Sequence, residues 1–334
     1  MKPKFLHSLL YGISLALLLS ACSPAFVGGK PWELSVPIPS QGLAINLGLG
    51  VAFLAAFWLF FRNRPVERLS ALKSTLLLTC IIFLVKFIGV TLHESGHGLY
   101  QLISGKNIEL YVHPFAFAAY SRPFADWGAW EHISGSAFAL PAAFLISLPF
   151  WKRRSLSNLP FLMLFPWVAI ADGMYILQRQ GDFRNLMQVT GVPGSVLIVV
   201  GGLIACVGLT LWFSLLPLLG LSSRDKKAFL VIPAALFLWT FSSLIVAHLV
   251  VPGAPYVVKY RLAEEILQGV DNNYYFNTIL GVIFALLYLT LYRWVRRWLP
   301  AGLQMETVNL TWKNFRLPGL LFAASVILGL IIII

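Results

Sequence analysis

The feature that most constrains this chain is a succession of apolar runs, each long enough to cross a bilayer, separated by short polar loops. After a run at 9 to 19, they fall at about 43 to 61, 74 to 103, 132 to 151, 159 to 177, 195 to 220, 228 to 252, 276 to 292 and 318 to 334. As helices, stretches of about 20 residues span a hydrocarbon core about 30 Å thick, where only helices or closed barrels satisfy their own backbone. The 334 residues are 58% hydrophobic and 11% charged, against about 25% charged in soluble domains, which excludes a soluble enzyme. The expected fold class is an all-α polytopic membrane protein, with about eight transmembrane helices behind an N-terminal signal segment.

The net charge of +12 would, in a soluble protein, raise nucleic-acid binding. Here it reads as topology, and no nucleic-acid partner is expected. Of the 25 Lys and Arg residues, 17 lie at the N-terminus or in the loops 62 to 73, 152 to 154, 224 to 227 and 293 to 316. Every second loop is the basic one, so the positive-inside rule assigns those loops to the cytoplasm and the end of the last helix to the outside.

The N-terminus carries Lys2 and Lys4, the apolar run, and then Leu19-Ser20-Ala21-Cys22. That order is a secretory signal, and its end resembles a bacterial lipoprotein lipobox. Residues 1–22 therefore read as a signal peptide with a lipidated Cys22, or else as a first transmembrane helix with an incidental Cys. Either version leaves residues 23–42 as an outer loop before a polytopic domain at 43–334, multi-pass in the bacterial cytoplasmic (inner) membrane. Cys80 and Cys206 sit inside apolar runs without partner spacing, so no disulfide framework or Cys-based metal site is expected.

Two outer loops are long enough to carry structure. Residues 107 to 113 alternate at period two between Gly105 and Pro114, which predicts a short strand or β-hairpin-like segment. Residues 261 to 268 read as an amphipathic helical turn or two at the membrane interface.

The run 74 to 103 ends in His93-Glu94-Ser95-Gly96-His97. A spacing of four on a helix puts both imidazoles on one face, where they can grip one zinc ion, with Glu94 as general base for a water. Ionisable residues inside transmembrane segments are rare and functional by default, which gives this short pattern its weight. Lys86 lies on the same helical face and points to the bundle interior.

A zinc site with an open water position needs a third protein ligand, and two acids compete for the role. At 1.5 Å per residue, His93 stands about 28 Å above a helix start at Ser74 and Asp172 about 20 Å above one at Leu159, with Asp182 at the outer rim beside His97. Both remain candidates. His113, His132 and His248 lie on or near the outer side, and His248 could donate to an oxyanion.

These residues resemble the site-2 protease class of intramembrane zinc metalloproteases. The resemblance covers roughly 74–193. It rests on the His93-Glu94-Ser95-Gly96-His97-Gly98 helix, a structured segment after it, the Gly-containing helix start at Ile133 to Leu140, and Asp172-Gly173 following Pro166. It implies His93 and His97 as zinc ligands, Glu94 as catalytic base and the Asp of the Asp-Gly motif as third ligand. The run Gly181-Asp182 through Pro193 is similar to a divergent branch in which Asp182 takes that place. Met163 stands where the family usually has Asn, and Pro166 is one residue too far from Asp172. The family also usually holds zinc nearer the cytoplasmic face, whereas the loop charges put this site toward the outer face.

The function expected is a zinc metalloendopeptidase cutting membrane protein or peptide substrates in contact with the lipid bilayer. The alternatives are a membrane zinc hydrolase of lipid amides or esters, and a non-catalytic scaffold with a degenerate site.

Overall fold

The computed structural model describes residues 57–106, 109–111, 120–122, 128–179, 181–221 and 308–333, with isolated positions near 51–55 and 231–238. The signal or lipobox segment with Cys22, the outer loop 23–42, most of the apolar run 228–252, the run 276–292, the segment 261–268, His113 and His248 lie outside the described residues.

The described residues are mostly helical. Helix α1 runs Pro65–Ile103, β1 Glu109–Tyr111, β2 Tyr120–Arg122, α2 Ala129–Trp151, α3 Leu159–Leu177, α4 Asp182–Thr190, α5 Gly194–Leu215 and α6 Arg316–Ile333. Among the described residues, the stretches Pro65–Ile103, Ala129–Trp151, Leu156–Leu177 and Gly194–Leu219 are long and apolar enough to cross a membrane.

One boundary differs from the sequence expectation. The loop expected at 62 to 73 is helical from Pro65 onward, so Arg68 and Lys73 ride on α1. Hydropathy marks where the membrane begins, not where hydrogen bonding does. Pro65 stands at the first turn, where a missing N–H costs nothing, and Glu67 there complements the helix dipole. At 39 residues, α1 is about 58 Å long, almost twice the hydrocarbon thickness. Thr75, Thr79 and Thr91 return their hydroxyls to the carbonyls four residues back, at 2.8 Å each, so these polar side chains are satisfied within the apolar helix.

Helix α3 is the most buried of the spanning stretches and packs on α5, α2 and α1. Its seam with α5 is a close backbone approach: a Cβ on Gly201 would meet the Gly173 carbonyl at 2.5 Å and Leu177 Cα at 2.9 Å. Membrane helices, which gain no hydrophobic drive from lipid, associate through small residues of this kind. Trp167 and Trp212 fill the same seam, ring centroids 5.7 Å apart. In the first two turns of α3, the Ser147 hydroxyl of α2 donates to the Phe161 carbonyl at 2.7 Å and accepts from the Phe165 N–H at 3.1 Å. It bridges one rung of the helical ladder next to Pro166, where the ring disturbs that ladder.

Between α1 and α2, β1 and β2 pair antiparallel, with Glu109 opposite Arg122 and Tyr111 opposite Tyr120. The base of this excursion is tied by Lys106 Nζ, which donates to Glu131 Oε1 at 2.7 Å. The other Glu131 oxygen accepts the Gly128 N–H at 3.0 Å and so caps the start of α2.

Candidate metal centre

The last turns of α1 present His93 and His97 side by side, their ring centroids 5.0 Å apart and the planes at 75°. Both Nε2 atoms face one oxygen: Asp182 Oδ2 lies 3.4 Å from that of His93 and 3.3 Å from that of His97. His93, His97 and Asp182 form the group among the described residues that could hold a metal ion.

The opposite edge of each ring is engaged elsewhere. His97 Nδ1 donates to the Glu131 carbonyl at 2.7 Å and lies 3.1 Å from Ser134 Oγ, which donates to that same carbonyl at 2.8 Å. A carbonyl oxygen can only accept. The proton of neutral His97 therefore sits on Nδ1 and the lone pair on Nε2, the form that binds metal. His93 Nδ1 faces Asp172 Oδ1 at 3.6 Å, a charge partner rather than a full hydrogen bond. Asp172 Oδ2 is buried with no hydrogen-bond partner among the described residues. The two sequence candidates thus take opposite edges of one ring: Asp182 meets Nε2 and Asp172 meets Nδ1.

Asp182 arrives by an unusual turn. Helix α3 ends at Leu177, and the chain reverses through Arg179 at φ 55° and Gly181 at φ 48°. The left-handed region costs a residue with a Cβ roughly 1–2 kcal/mol, and at Gly181 a Cβ would also overlap the Tyr175 hydroxyl. Asp182 then opens α4, whose buried Phe183 and Leu186 pack with Ile176 and Leu197. Tyr175 stands edge-on to both His93 and Phe183, with centroids at 6.3 and 5.9 Å. Burial alone would raise the Asp182 carboxyl, but the imidazoles of His132, His93 and His97 around it outweigh burial and hold it well below the usual carboxylate range.

Helix α2 forms the remaining wall. A Cβ on Gly135 would come within 2.6 Å of both Nε2 atoms, so only glycine leaves the space between the imidazoles open. Gly96 of α1 makes the reciprocal approach, where a Cβ would stand 3.0 Å from Gly135 Cα and 2.8 Å from Phe138 Cβ. Glu94 lies close enough to His93, Asp172 and Asp182 for their charges to act on it. Lys86 is half-buried, about 10 Å down α1 from His93.

The structure therefore brings His93, Glu94, His97, Asp172 and Asp182 into one neighbourhood. It adds Glu131, Ser134 and Gly135, whose roles sequence reasoning had not assigned. A Glu-His pair opening an apolar run, followed by Gly within a turn, was the available signal. No family model, curated protein or solved structure matches the chain.

Proposed function

We propose that this protein is a zinc-dependent intramembrane peptidase with its site toward the outer face, a divergent relative of the site-2 protease class. The observation that carries the reading is the convergence of His93 Nε2, His97 Nε2 and Asp182 Oδ2, with both Nδ1 atoms turned to acceptors. Four-coordinate zinc with bonds of about 2.0–2.1 Å separates its ligand atoms by about 3.3–3.4 Å. The two His–Asp separations, 3.4 and 3.3 Å, fit that tetrahedral edge, and Gly135 keeps the space clear. Two imidazoles and one carboxylate also match the donor set of hydrolytic zinc sites, which retain an open position.

In this reading Asp182 is the third ligand. Asp172, at the place of the Asp-Gly motif, orients His93 and raises its basicity, as carboxylates behind metal-bound histidines do. The Glu131 carbonyl does the same for His97. When bound, zinc supplies a Lewis acid that polarises a substrate carbonyl and a water with a pKa near 7. Glu94 takes the proton of the attacking water and returns it to the leaving amine. The substrate is a membrane-embedded or membrane-adjacent peptide in extended form, since a helix hides its carbonyls in its own hydrogen bonds. The orientation follows from the basic loops on the opposite side.

The test is Glu94→Gln in purified full-length protein, assayed on a detergent-solubilised single-span reporter with an unwound segment near its outer end. Zinc content should stay at the wild-type level while cleavage falls by about 10²–10⁴. Unchanged cleavage with zinc retained overturns the mechanism. Activity on a lipid amide or ester but not on the reporter reassigns the substrate class.

A further inference from the structure

One histidine beside the centre is not used by this mechanism. His132, in the first turn of α2, is 5% exposed, and its Nδ1 lies 3.5 Å from Asp182 Oδ1. That is the oxygen turned away from the paired imidazoles, which face Oδ2. We infer that His132 is a positioning residue for the metal centre, holding Oδ1 so that Oδ2 alone is presented to the metal. The inference rests on the zinc reading above.

The physical need is specific. A carboxylate bound through one oxygen can rotate about its Cβ–Cγ bond, exchange its oxygens or chelate through both, and each change alters the coordination number. A buried ring nitrogen set against the second oxygen, here at 3.5 Å and closing to a hydrogen bond when the metal draws Oδ2, limits that freedom, and partners behind metal ligands are worth about 10–100-fold in affinity or activity. Asp182 needs such a partner more than the histidines do, because it stands at the first residue of a nine-residue helix rather than within a long one. His132 adjoins Glu131, whose carbonyl accepts from His97, and lies less than a turn from Gly135, which spaces the imidazoles. The opening turns of α2 therefore act as one rigid template for both sides of the centre.

Zinc affinity of detergent-purified full-length protein, measured by competition with a chromophoric chelator at fixed pH, tests this without reference to catalysis. His132→Ala should weaken zinc by about 10–100-fold. His132→Asn, whose amide nitrogen is as many bonds from Cα as Nδ1, should restore most of the affinity. His132→Gln, whose amide reaches one bond further, should not. If the Ala variant cannot be recovered folded, the Asn and Gln variants decide: tight against weak supports the assignment, and equal affinities overturn it. Wild-type affinity in His132→Ala, or equal weakness in all three variants, also overturns it while leaving the zinc reading intact. A wild-type protein that binds no zinc overturns both.

Discussion

Two carboxylates, ten positions apart, bracket the imidazole of His93, and the regions that carry them are built in opposite ways. Asp172 is set inside α3, the most buried of the spanning stretches, where the Gly173–Gly201 contact locks the backbone against α5. Asp182 lies beyond the end of α3, as the first residue of the short helix α4, after a turn with positive φ at Arg179 and Gly181. The helix interior supplies a fixed carboxyl group at the Nδ1 edge, 3.6 Å away. The turn brings one oxygen of Asp182 to the Nε2 atoms of both imidazoles. In the zinc reading proposed above, orientation of a ligand falls to the long buried helix and coordination to the residue that follows the turn.

The sharpest way to break this comparison is to remove each acid in turn. Asp182→Ala should abolish zinc retention by purified protein, measured by elemental analysis, whereas Asp172→Ala should retain zinc when metal is in excess. If Asp172→Ala is the variant that loses all metal, the assignment of the two roles is reversed.

Gly135→Ala should have a loss nearly as large, because a methyl 2.6 Å from both Nε2 atoms occupies the space between them. Thermal unfolding in detergent should show a protein that still folds. Wild-type zinc content in this variant would mean that α2 yields, and that the centre is less rigid than the comparison requires.

A smaller effect is expected for Asp172→Asn, which keeps the shape but not the charge. Chelator competition should show affinity weakened by about 10–100-fold. An unchanged value would reduce Asp172 to a packing role.

Gly201→Ala probes the seam beneath Asp172 rather than the centre itself. Overpacking should cost about 1–3 kcal/mol, read as a lower unfolding midpoint, with only a slight loss of zinc affinity. A loss of affinity as large as that of Asp172→Asn would show that the seam, and not the carboxylate alone, sets the His93 edge.

Much of this was legible in the sequence because it depends on local periodicity. The His93–His97 spacing converges wherever a helix forms, and 20-residue apolar runs must be helices in a bilayer. The extra turns of α1 before Ser74 were not legible from hydropathy, since Arg68 and Lys73 are compatible with helix but not with lipid. Depth along the helices favoured Asp182 only slightly over Asp172. Depth has no angular component, and the choice depends on which edge of His93 each acid faces. His132 was visible as an ionisable residue near the outer side, but nothing in its neighbours named Asp182 as its contact, 50 positions away. Gly135 could be seen as part of a helix start, yet its use is to leave room for side chains of another helix.

By itself, then, the sequence determined that this chain carries helices apolar enough to cross a membrane and a pair of imidazoles on one helical face. Each follows from rules that act within a few turns of chain. The tertiary structure alone decided which aspartate meets the Nε2 atoms, which partners hold the Nδ1 edges and why Gly135 and Gly181 stand where they do. Those choices are made by ångström-scale distances between α1, α2 and the turn after α3, and no local pattern encodes the packing that sets them.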